Sequence, residues 1–233
     1  MPPPPIQLPG TELSVSPLCL GGVPFGNTIT EAESFALLDR FVALGGNFLD
    51  TARIYSDWVP GERRRSERIL GDWIAARRNR AQLVLATKGA HPFIDSVDTP
   101  RTSAAEIRDD LEGSLRTLRT DVIDLYWLHR DDPTRPVEHF IDLLNAFLRE
   151  GIIRAFGASN WTAARRASLL DGRAEIRLAL GRFAEARADN DAALAALLGA
   201  PRIYEKVYAR VVSMQAAEGG AKEKIFNWAI GVG

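Results

Sequence analysis

Short apolar runs that end on polar or glycine positions alternate along most of the chain with longer stretches whose apolar residues recur at helical spacing. Residues 13–15 and 18–20 read as short strands, the second running into Gly21 and Gly22. Thr30 suits the cap of a helix that begins near Glu31, in which Ala32, Phe35, Leu38, Phe41 and Val42 make one buried face. Gly45 and Gly46 end that helix before a strand at Phe48 and Leu49. The alternation then repeats as helix 66–77, strand 83–86, helix 103–118, strand 122–128, helix 136–149, strand 152–156 and a further helix from near Thr162. Strands separated by helices of this length predict an α/β fold with a parallel sheet and crossover helices.

The expected architecture is a partial (β/α) TIM-type barrel of about five strand-helix units, because a closed eightfold barrel typically takes about 250 residues. Beyond Leu170 the strand signal disappears. Residues 173–198 are rich in alanine and charge, as in one or two amphipathic helices, and the chain after Pro201 again reads as more helical than extended. The predicted organisation is an extended tail over 1–10, a barrel portion over 11–170, and an α-helical segment over 171–233 in place of the last three units. An open parallel sheet leaves two unpaired edges and apolar surface. Residues 171–233 are therefore expected to cover the gap, or a second copy of the chain to do so as a homo-oligomer.

Composition narrows the partners. The chain has 233 residues, 46% hydrophobic and 25% charged, with a net charge of -1. That balance gives no reason to expect nucleic acid or a membrane surface, and a small molecule is the expected ligand. One cysteine, Cys19, cannot form an internal disulfide and lies in an apolar run, which fits a buried thiol and a cytoplasmic location. The opening Met1 and prolines lack the regions of a signal peptide, and no apolar stretch approaches the roughly 18 residues of a membrane span.

Polar groups follow several of the predicted strands at once. Asp50, Lys88, His129 and Ser159 recur every roughly 30–40 residues, the length of one strand-plus-helix unit. In such barrels, side chains at the C-terminal ends of successive strands converge on one mouth. Tyr55 sits in the loop after the Phe48 strand, where its hydroxyl can protonate a carbonyl oxygen, but an ordinary pKa near 10 is high for that work. A lysine ammonium about 4 Å away, at an effective dielectric near 20, favours the phenolate by about 4 kcal/mol, or roughly three pKa units. Lys88 is placed to supply that charge, Asp50 to hold Lys88, and His129 to donate a hydrogen bond to the substrate oxygen. No side chain here is an activated covalent nucleophile, and no cluster has metal-ligand spacing. A proton donor without a nucleophile points to reduction, with hydride from a bound cofactor.

Phe25, Trp58, Trp127 and Trp161 lie near predicted strand ends, where an apolar substrate pocket and core packing are both open readings. Phe25 and Trp58 are the pocket candidates. Trp127, inside a strand run, is expected to face the helices. His91 reads as a solvated loop residue or as lining the mouth, His139 as structural within a helix, and the run Arg63, Arg64 and Arg65 as a solvated helix start.

Over roughly residues 11–168 the chain resembles the aldo-keto reductases. The resemblance is carried by residues 45–55, by Ser66-Glu67-Arg68-Ile69-Leu70-Gly71, by Ala86-Thr87-Lys88-Gly89, and by residues 114–129 and 151–160. It implies Tyr55 as general acid, Lys88 and Asp50 tuning it, and His129 orienting an aldehyde or ketone substrate. It also implies that Ser159 and Asn160, with Asp50, hold the nicotinamide end of NADPH, or less often NADH, bound without a Rossmann domain. The chain departs from the family after residue 170. Residues 175–198 resemble part of a tetratricopeptide repeat and 201–231 an internal stretch of acyl-CoA ligases, with neither the stacking aromatic residue nor the basic phosphate loop of the family in evidence. A reductase is therefore the expected function. The alternative is a catalytically silent scaffold whose helical segment docks a partner.

Overall fold

A computed structural model of the chain describes residues 4–8 and 10–162. It opens with a small antiparallel hairpin, β1 (Ile6–Gln7) and β2 (Ser14–Val15). Five parallel strands follow in sequence order: β3 (Cys19–Gly21), β4 (Phe48–Asp50), β5 (Val84–Gly89), β6 (Ile123–Leu128) and β7 (Ile153–Ala158). The crossovers are α1 (Glu31–Ala43), α2 (Arg65–Arg77), α3 (Ala104–Leu118) and α4 (Val137–Glu150). This is the expected parallel α/β architecture, consistent with part of a TIM-type barrel. The helix expected from Thr162 and the whole segment 171–233, including its predicted cover over the sheet edge, lie outside the described residues.

Local chemistry accounts for the helix boundaries. Thr30 and Ser103 each form a reciprocal capping box, with Glu33 and Glu106, so α1 and α3 start where short polar side chains satisfy the free N–H groups. Gly151, at φ +74°, closes α4 in the left-handed conformation that glycine adopts without cost. Residues 1–10 were expected as a tail. Ile6–Gln7 within it is extended but paired to β2, a partner that a two-residue apolar signal does not announce.

The two faces of the sheet have different company. Leu85, Tyr126, Leu128 and Phe156 point to the helices and join a core with Leu38, Ile69, Trp73, Ile107, Phe140 and Phe147. The alternate positions, Val84, Ala86, Leu125 and Ala155, pack against Leu13 and Val15 of the hairpin, with Phe48 and Trp127 beside them. Trp127 thus lies on the face away from the helices, contrary to expectation, because strand side chains alternate and Leu125 two positions earlier sets its side. The same period of two carries Asp50, Lys88, His129 and Ser159 to that face, one step beyond the apolar layer.

Helices α2 and α3 approach so closely that a Cβ on Gly71 would lie 2.3 Å from the Thr117 carbonyl oxygen. A backbone atom cannot swing aside as a flexible side chain does. Gly71→Ala is therefore expected to destabilise the fold by about 1–3 kcal/mol, the usual cost of forced overpacking, as read by urea unfolding.

Candidate active site

The parallel ladder continues past the ends of the strands and fixes the polar residues there. Thr51 N donates to Ala86 O at 2.9 Å, Arg53 N to Lys88 O at 3.1 Å, His129 N to Gly89 O at 2.8 Å and Ser159 N to Leu128 O at 2.9 Å. Backbone hydrogen bonds between neighbouring strands therefore hold the site together across β4 to β7.

Lys88 is its centre. The residue is only 7% exposed, and Nζ donates to Asp50 Oδ2, to Thr51 O at 2.9 Å and to Tyr55 Oη at 3.0 Å. An ammonium has three protons, and all three have acceptors. Asp50, Tyr55 and His129 are buried too. The Tyr55 and His129 rings meet edge to face with centroids 5.8 Å apart, and Nδ1 of His129 is buried without a hydrogen-bond partner. The four residues expected to act together are thus one contiguous group.

Burial sets the protonation states. It pushes the Asp50 carboxyl up, with the Lys88 charge opposing it in part. Burial opposes the charged form of Lys88 as well, yet Asp50 and Tyr55 together hold its pKa above the ordinary lysine value. For Tyr55 the net direction is upward, because loss of solvent outweighs the Lys88 charge. This is opposite to the sign expected from the Lys88 charge alone, because desolvation of the phenol is the larger effect. His129 is driven well below its ordinary value, first by burial and then by the Lys88 charge, so the imidazole is neutral near pH 7.

His91 belongs to this neighbourhood. Its ring centroid is 4.8 Å from that of His129, its Nδ1 lies 2.8 Å from the Pro92 carbonyl, and it is half-buried rather than solvated. His139 is structural as expected, with Nε2 3.0 Å from Thr102 O. On the far side, Asn160 adopts φ +61° and donates through Nδ2 to His129 O at 3.0 Å and to Ser159 Oγ at 3.2 Å.

The aromatic candidates divide. Phe25 is 1% exposed and Trp161 3%, both within the core shared with the helices, so the structure does not bring Phe25 to the mouth. Trp58, 43% exposed, stands in the loop after Tyr55. Of the three arginines, only Arg63 matches a solvated start, paired with exposed Asp95. Arg65 donates to Gly26 O at 2.8 Å, and Arg64 lies against Gly113 near buried Glu67.

A buried ion pair beneath the loop escaped the sequence reading. Arg53 Nε contacts Asp110 Oδ1 at 2.7 Å, Arg101 reaches the same oxygen at 2.8 Å, and Asp110 Oδ2 accepts from Ala90 N at 3.0 Å. Arg53 and Arg101 also stack on Phe93, at 4.5 and 4.1 Å from its centroid. Arg53 stands between Asp50 and Tyr55 in sequence. The sequence signal for its role was no more than a charged residue within the segment from Asp50 to Tyr55.

Titratable groups gathered at the ends of successive parallel strands define a site of the barrel-mouth kind. The sequence comparisons agree: the Aldo/keto reductase family profile matches residues 17–181, and the chain belongs to that family. An aryl-alcohol dehydrogenase of Pestalotiopsis microspora is 31% identical over 168 residues, covering 65% of this chain and 41% of the relative. The norsolorinic acid reductase stcV of Emericella nidulans is 36% identical over 182 residues, covering 67% and 43%. A putative aldo-keto reductase structure from Pseudomonas aeruginosa superposes with a TM-score of 0.60 at 36% identity, covering 70% of this chain and 63% of the other. The chain spans less than half the length of these two curated relatives.

The depressed His129 pKa has a consequence for stability. Below the ordinary histidine value of 6.5 the unfolded chain binds a proton that the folded site resists, so stability is intact above that pH and falls as pH drops below it. His91, lowered mainly by burial, acts in the same direction. The melting temperature is expected to decline from pH 6.5 downward, and His129→Gln to flatten part of that decline in scanning calorimetry.

Proposed function

We propose that this site reduces an aldehyde or ketone to the alcohol, with Tyr55 as the proton donor. The observation that carries the reading is Lys88 Nζ bound at once to Asp50 and to Tyr55 Oη. Because Lys88 donates to the phenol oxygen, the phenol's own proton is left for a substrate oxygen. The raised Tyr55 pKa keeps that proton in place at neutral pH. As the proton leaves, the ammonium 3.0 Å away stabilises the phenolate, and a proton from solvent restores the acid. Neutral His129 offers a hydrogen-bond donor to the same oxygen without placing a competing acid beside it.

Ser159 and Asn160 suit the carboxamide of a nicotinamide. The Ser159 hydroxyl accepts from Asn160 and still has its proton to give, while the Asn160 side-chain oxygen stands beside it as an acceptor. Bound there, NADPH, with NADH as the other candidate, would supply the hydride that no side chain can. Asp50, the third residue proposed for the cofactor, acts here by holding Lys88. Trp58, exposed in the loop that follows Tyr55, is the remaining candidate for an apolar substrate wall. Relatives bearing the names aryl-alcohol dehydrogenase and norsolorinic acid reductase fit alcohol–carbonyl chemistry.

Titration of the full chain with NADPH, followed by tryptophan quenching and nicotinamide emission, is expected to give saturable binding. Tyr55→Phe should keep that binding and lower carbonyl turnover by about 10²-fold or more, the usual weight of a positioned acid. Undiminished turnover in Tyr55→Phe would remove the tyrosine from the reaction, and absence of NADPH binding would leave the scaffold reading in its place.

A further inference from the structure

Helix α2 begins without a side-chain cap, since left-handed Arg64 at its boundary provides none. Its first turn instead sends two fully buried polar side chains, Ser66 and Glu67, toward the sheet. Ser66 Oγ donates to the Gly22 carbonyl at 2.6 Å. Its proton is thereby used, so Thr51 is the donor in the 2.8 Å contact between the two hydroxyls. Glu67 Oε1 accepts from Thr87 Oγ1 at 2.6 Å. Thr51 and Thr87 are the chain neighbours of Asp50 and Lys88, and the Thr51 carbonyl is itself bound by Lys88 Nζ at 2.9 Å.

Alternation along a strand gives these contacts their meaning. A threonine held on the helix side fixes the backbone from which the next side chain reaches the mouth. The junction also closes only around glycine, because a Cβ at Gly22 would lie 2.8 Å from Ser66 Oγ and 3.3 Å from Thr51 Oγ1.

Resting on the reading of the site as a carbonyl reductase, we propose that Ser66 and Glu67 are positioning residues that clamp Thr51 and Thr87 and so set the distances at which Asp50 and Lys88 meet Tyr55. Neither touches a reacting atom. Their effect passes through the Lys88–Tyr55 hydrogen bond, whose strength falls steeply with misalignment, and an error of about 1 Å in such a site can cost on the order of 100-fold in rate.

Thr51→Val and Thr87→Val remove the clamped hydroxyls, while Thr51→Ser and Thr87→Ser keep them. The first readout needs no cofactor: ultraviolet difference titration of tyrosinate formation, with Tyr55 identified by subtraction of Tyr55→Phe. The groups bearing on Tyr55 are Lys88, Asp50, His129 and Cys19. In the valine variants Tyr55 is expected to ionise at higher pH than in the parent, because the Lys88 charge acts less closely on it. The kcat for carbonyl reduction should fall by about 10–100-fold with KM and NADPH affinity retained, and the serine variants should restore both properties. Valine variants that melt at lower temperature yet keep the parent Tyr55 titration and kcat overturn the clamp.

If the valine variants do not fold, Ser66→Ala and Glu67→Gln carry the test. Glu67→Gln keeps an acceptor for Thr87 and should titrate as the parent does, whereas Ser66→Ala should raise the Tyr55 titration. An unshifted Ser66→Ala overturns the proposal. A parent protein that neither binds NADPH nor reduces carbonyls would refute the reductase reading, while the titrations would still decide the clamp.

Discussion

The charge on Lys88, held out of water at the end of β5, is the interaction on which the rest of the site depends. Taking an ammonium into the protein costs several kcal/mol, and only good geometry with full hydrogen bonding offsets it. Here the Asp50 carboxylate, the Thr51 carbonyl and the Tyr55 hydroxyl take the three protons. Both partners are shifted upward, which favours the charged form of Lys88 and opposes that of Asp50, whose burial outweighs the Lys88 charge. The arrangement is that of ammonium and carboxylate, because Asp50 and Tyr55 hold Lys88 above its ordinary value and its three protons match the three oxygens around it. Removal of either partner would strand the other as a buried charge, so the pair is strongly constrained for reasons that precede any chemistry.

The fold supplies that geometry through two layers. Apolar side chains on the hairpin side of the sheet, Val84, Ala86, Leu125 and Ala155, put the polar residues of the same alternation at the mouth. On the helix side a second set of polar residues appears where only packing would be expected. Ser66 and Glu67 reach the strand carrying Asp50 and the strand carrying Lys88, and Asp110 ties Arg53 to Ala90. Buried hydrogen bonds of this kind add little net stability but are costly to leave unmade, which makes them effective in specifying one arrangement. The close contact at Gly71 brings α2 and α3 together so that both helices can serve β5.

Much of this was legible in the sequence, and the exceptions have physical causes. The alternation of apolar runs located β3 to β7 and α1 to α4 to within a few residues, because period and capping are local properties. Asp50, Lys88, His129 and Ser159 stood out because each follows a strand. The pairing of Ile6–Gln7 was not legible, since a two-residue strand has no period to detect. Phe25 fell near a strand end yet turned into the core, and Trp127 faced away from the helices, because proximity to a strand end does not determine side-chain direction. Arg53 with Asp110, far apart in sequence, meet only once the parallel strands are in register.

The sign of the Tyr55 shift shows where a pairwise account stops. Lys88 at 3.0 Å does favour the phenolate, as Coulomb's law requires, but the same burial that strengthens that attraction also strips the phenolate of water. The two effects arise from one cause and cannot be chosen separately. For an acid this balance is useful. A phenol that is easily ionised would have lost its proton before substrate arrives, while one without Lys88 would have no stabilised base to become. In the proposed reaction Tyr55 retains its proton at rest, and the ammonium acts when that proton departs.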